Sequence, residues 1–182
     1  MARTLTVKKG GGNDFSKGWK TVTISKAKYG EFSGTQFLDI WFEGYPDTFN
    51  ARIYATKDPN GEEFAIGQVF RFANAGITSA LEGPDGMVIK MDDDPQLLKG
   101  KQLNAYFHPD GDYTRVLKQF APTVFSNEVE TFQEKDIEYW KSSAEKYYNN
   151  YVLKDNSSDS MTAAVADSNN EDTTVSAENI PF

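Results

Sequence analysis

Asp92, Asp93 and Asp94 form the densest group of hard-cation ligands in the chain. Carboxylate oxygens suit Mg²⁺. A metal-dependent nuclease is one chemistry they would serve, with Asp58 and Asp112 as partners from elsewhere. Adjacent loop residues seldom converge on one ion, so a solvated acidic loop is the simpler expectation. There is no cysteine, which removes thiolate nucleophiles, thiolate metal sites and disulfides. The single histidine, His108, precedes Pro109 at an expected hairpin turn, and nothing around it resembles a nucleophile elbow. It reads as a surface turn histidine. The expectation is a protein that is not an enzyme and needs no cofactor and no metal.

A binding chemistry is better represented. Three stretches alternate with period two, and their second faces read Phe37, Asp39, Trp41; Asn50, Arg52, Tyr54; and Asn104, Tyr106, His108. A merely solvated face would carry Lys, Glu and Thr. Aromatic rings beside cations suit single-stranded nucleic acid, whose bases stack on flat rings while its phosphates seek positive charge. Stacking ignores base identity, so such a face is sequence-tolerant. The expected DNA-binding residues are Phe37, Trp41, Arg52, Tyr54 and Tyr106, with Lys20, Lys26 and Lys28 from the first strand and Arg115 and Lys118 from the fifth. The rival reading is that a C-terminal helix covers this face and makes the rings core.

The elements that must position these groups follow from the same periodicity. Residues 19–28 are rich in β-branched side chains, and 29–34 read as a turn. Residues 35–42 and 49–56 alternate, with Leu38, Ile40, Phe42, Ala51, Ile53 and Ala55 facing inward. Residues 62–75 read as a short helix and 82–95 as a charged loop. Residues 100–108 and 113–120 are a fourth and fifth strand around a turn at 109–112. Thr131 and Glu134 have the spacing of a capping box. Ile137, Trp140, Ala144, Tyr148 and Tyr151 then recur at helical spacing, giving a helix over 131–151. Three strands, a helix and two strands fit a β-rich OB-fold, a five-stranded barrel with a helix across it.

Charge is segregated along the chain. The net charge is −8, yet residues 1–28 hold seven Lys/Arg against Asp14 alone. From Leu153 onward one lysine faces six acids, with few large apolar groups. Such a composition does not bury enough surface to offset chain entropy. Three regions are therefore expected: a flexible basic segment at 1–18, a binding domain at 19–152, and a disordered acidic tail at 153–182. No apolar run is long enough for a membrane span. The N-terminus lacks the apolar centre of a signal peptide, so the expected location is the cytoplasm.

The tail ends Ser-Ala-Glu-Asn-Ile-Pro-Phe. Ile180 and Phe182 suit an apolar pocket on a partner, Pro181 restricts the free peptide, and Glu178 suits a basic rim. These residues resemble the end of bacterial single-stranded DNA-binding proteins, in which an OB-fold and a linker precede an acidic stretch and Ile-Pro-Phe. The 58–100 insertion and the C-terminal helix look more like a phage-encoded protein of this type, acting in the host cytoplasm. The resemblance implies a protein that coats single strands and recruits replication, recombination and repair proteins through Ile180, Pro181 and Phe182. Where that family usually has aspartates, this chain has Ala177-Glu178-Asn179. A phage structural or adaptor protein is the remaining alternative. Linked copies would gain affinity for a strand, so a homodimer is compatible with this reading, and DNA against RNA stays open.

Overall fold

The computed structural model describes residues 2–5 and 14–154. Five strands form one antiparallel sheet: β1 (Gly18–Phe32), β2 (Thr35–Phe42), β3 (Asn50–Tyr54), β6 (Gln102–Asp110) and β7 (Tyr113–Val116). Their order across the sheet is β3-β2-β1-β6-β7. β1 belongs to both halves. Gly18 to Thr23 pair with β6 and Ile24 to Phe32 pair with β2, with an irregularity between Ile24 and Lys26. A bulge of this kind bends a strand and increases its twist. The sheet does not close, because β3 and β7 remain its edges. The described residues are β-rich with two α-helices, and the expected closed barrel is not formed.

The inner face is assembled by alternation, as expected. Leu38, Ile40, Phe42, Ala51, Ile53, Leu103, Ala105 and Phe107 are all buried there. Helix α1 (Ala65–Phe72) lays Ile66, Val69, Phe70 and Phe72 on this face. It is shorter than the expected 62–75. The Glu63 carboxylate accepts from the Ile66 and Gly67 amides at its start.

Residues 82–95 are not simply a loop. β4 (Ile77–Gly83) and β5 (Gly86–Met91) form a separate two-stranded ribbon. Gly83 and Gly86 face each other across a two-residue Pro84-Asp85 turn. The Gly and Pro residues that suggested a loop are the turn alone. Asp94 then caps a 3-10 turn, Pro95–Leu98, by accepting from the Gln96 amide.

The C-terminal helix starts later than expected. Thr131 lies in a small hairpin of β8 (Phe125–Ser126) and β9 (Thr131–Phe132), and its hydroxyl meets Ser126 at 2.7 Å. The capping box is instead Gln133 with Asp136, and α2 spans Glu134–Tyr147. A π-helical turn, Tyr148–Val152, continues it. Residues 14–16, expected to be part of a flexible segment, pack on the body. Phe15 sits edge-on to Tyr45 and Phe49 at 5.4 and 5.1 Å.

His108 is buried, not a surface turn residue, because β6 runs on to Asp110 and Tyr148 covers it at 5.1 Å between ring centroids. Burial, opposed by the Pro109 carbonyl and Asp110, pushes its pKa below the ordinary imidazole value. The unfolded chain therefore takes up this proton at a higher pH than the folded protein. Stability should be full above about pH 6.5 and fall as the pH drops through the window beneath it. Urea midpoints at pH 7.5 and 5.5 check this. The difference should shrink in His108→Gln.

Candidate nucleic-acid interface

The face of interest is the outer side of β1, β2 and β3. Strand register sets three cross-strand rows on it: Lys26–Trp41–Asn50, Lys28–Asp39–Arg52 and Gly30–Phe37–Tyr54. Each aromatic ring in this grid carries a cation. The Lys26 Nζ lies 4.6 Å from the centre of Trp41. The Arg52 guanidinium carbon lies 3.7 Å from that of Phe37. The Lys118 Nζ, from the segment after β7, lies 5.5 Å from that of Tyr54.

Local chemistry fixes these groups. Trp41 donates from Nε1 to the Asp47 carbonyl at 2.9 Å, which holds the indole against the β2–β3 turn. Arg52 donates from Nε and Nη2 to the two Asp39 oxygens, each at 2.8 Å. These bonds, chiefly, raise the guanidinium pKa above its ordinary value. Asp39 is buried while the Arg52 side chain stays 41% exposed. Phe37 lies across Gly30, where an added Cβ would come within 2.4 Å of the ring. Glycine is what lets the ring lie down there.

Phe37 is consequently 9% exposed, with Arg52 above it. The surface available to a ligand at this point is the guanidinium, backed by a ring. Guanidinium planes stack on aromatic faces and on bases alike, so Phe37 acts as a support for Arg52.

The β6 half of the sheet is different. Tyr106 is 9% exposed, and its ring lies 5.3 Å from both Trp19 and Tyr148. Here the C-terminal helix and its π-helical turn do cover the outward face. Alternation placed Tyr106 on the right face but says nothing about a later element laid over it. Lys20 is bound to Asp14 at 2.9 Å, and its side chain is 15% exposed. Arg115 is exposed and pairs with Asp110. Neither joins the grid. Lys26 pairs with Asp47 at 3.4 Å. Lys28 is exposed, and neither it nor Lys118 has a carboxylate partner among the described residues. Glu178, Ile180, Pro181 and Phe182 lie outside the described residues.

One residue escaped the sequence reading. Phe32 is 63% exposed at the β1–β2 tip, in the same alternation phase as Lys26, Lys28 and Gly30. The tip itself is only Ser33-Gly34, both at positive φ. Reading residues 29–34 as a turn hid Phe32, because the strand pairing in fact continues through it.

Among the described residues no three His, Cys, Asp or Glu side chains converge as a metal site would require. Asp92 and Asp94 accept backbone amides of their own loop. No protein-family model, curated protein or solved structure matches the chain.

Proposed function

We propose that the protein binds single-stranded DNA with little sequence preference across most of its site, coating and protecting unwound strands during replication, recombination and repair. The observation that carries this reading is the grid on β1–β3, where Trp41, Arg52 on Phe37, and Tyr54 each pair a flat group with positive charge. Bases would stack on these three platforms and on Phe32. Lys26, Lys28 and Lys118 would meet the phosphates. No bond is made or broken. The strand order is that of an OB-fold left open between β3 and β7, and we read the body as such. In this reading the tail recruits partner proteins through Ile180, Pro181 and Phe182.

Tryptophan fluorescence during titration with oligo-dT, at two salt concentrations, tests the proposal. Trp41 should be quenched, and affinity should fall with salt by roughly 0.7 in log–log slope per phosphate contact. No quenching and no retention of DNA at low salt would sink it. The acidic residues after Leu153 should compete with phosphates for the same cations. A chain ending at residue 152 should therefore bind oligo-dT more tightly than the full chain, most visibly at low salt. Equal affinities at low salt would remove the competition.

A further inference from the structure

We infer that the groove between α1, the end of β3 and α2 takes one base of the bound strand, turned off the sheet face, and gives an otherwise tolerant site a base preference. This rests on the reading of the β1–β3 face as a single-strand site.

The groove lies where the curled sheet fails to close. Ile53 and Tyr54 of β3 form one side, and Lys118, Gln119 and Phe120, just past β7, another. Its volume is about 750 Å³, inside the range of about 300–1,000 Å³ common for small-molecule sites. It is continuous with the grid, because Tyr54 and Lys118 belong to both. A strand stacked along the grid therefore reaches the groove mouth.

The distribution of charge decides what enters. Lys118 is the cation at the mouth without a carboxylate partner among the described residues. Arg71 lines the wall but is locked on Glu130 by three hydrogen bonds of 2.9–3.1 Å. Asp58, on the rim, is engaged by the Asn60 and Glu62 amides. Asp58 keeps its negative charge at the rim, Lys118 supplies the positive charge there, and the interior, where Arg71 is paired with Glu130, is electrically balanced. That arrangement fits a phosphate outside and a neutral group inside. The interior offers the rings of Trp140 and Tyr147, which suit a flat group. It also offers the Gln119 amide and the Ser143 hydroxyl, whose side chains make no hydrogen bond to any described residue. A purely apolar occupant would leave both unsatisfied. A base edge supplies donors and acceptors for them.

Two variants test this: Gln119→Ala, which removes the hydrogen-bonding amide, and Ser143→Trp, which fills the groove. Affinities for dT, dC and dA oligomers, and for an abasic oligomer of equal length, are measured for each. The native protein should separate its best and worst homopolymer by at least about tenfold, the scale of discrimination by base hydrogen bonds. Both variants should bring this ratio toward unity and leave the abasic affinity unchanged. Circular dichroism identifies a variant that fails to fold, and Gln119→Ala then decides alone. Equal homopolymer affinities in the native protein, or an undiminished preference in folded variants, would overturn the inference. If Trp41→Ala still weakens binding in that case, the proposed function survives without the groove. If no oligomer binds, both fall.

Discussion

Replacing Trp41 and Tyr54 together by alanine should lower affinity for oligo-dT by about 2–6 kcal/mol, since each base–aromatic stack is worth about 1–3 kcal/mol. That is between about thirtyfold and about twenty-thousandfold. The two rings sit in different rows of the grid and on different strands. They have separate cations, Lys26 and Lys118, so their losses should add. Neither ring is in the buried core, and the double variant should keep its circular dichroism spectrum. Its salt dependence should persist, because the lysines remain. An affinity within threefold of the native value, at either salt, would show that bases do not stack here.

Phe107→Ala should destabilise the protein by about 3–5 kcal/mol, the usual cost of emptying a buried aromatic site. Phe107 is fully buried, 5.5 Å from Tyr45 and 5.2 Å from Phe49. Phe49 in turn packs on Phe15 and Phe42. The deletion thus removes the floor on which the β2–β3 turn rests. Domains have a total stability of only about 5–15 kcal/mol, so the urea midpoint should fall sharply. The same turn supplies the Asp47 carbonyl that holds Trp41. Some loss of oligo-dT quenching should therefore accompany the loss of stability. A change under about 1 kcal/mol would mean that Tyr45 and Phe49 collapse into the space.

These two cases show what was legible in the sequence and why. Period-two alternation identified Leu38, Ile40, Ala51, Ile53, Leu103 and Phe107 as core and Phe37, Asp39, Trp41, Asn50, Arg52 and Tyr54 as the opposite face. Alternation is a property of one strand, and it is reliable there. Whether a face stays open depends on distant elements. The cover that Tyr148 lays on Tyr106 and His108 comes from a π-helical turn forty residues later, and no local pattern encodes it. Arg52 carried a similar ambiguity. Its register opposite Asp39 was not readable from either strand alone, so its role as a platform on Phe37 emerged only from packing. Turn residues misled in both directions. Gly83-Pro84-Asp85-Gly86 concealed a ribbon, and Tyr29–Gly34 concealed the end of β1 and with it Phe32.

The double membership of β1 has a thermodynamic consequence. Its first six residues are laddered to β6 and the rest to β2, so neither half of the sheet can open without disturbing the strand that anchors the other. The two halves should then melt as one cooperative unit, and the β1 amides should exchange with deuterium only through global unfolding. The β4–β5 ribbon is held by a single ladder and exposes Leu81, Met87 and Val88. Its amides should exchange orders of magnitude sooner, through local fraying. In deuterium labelling, β1 would mark the last structure to surrender and the ribbon among the first.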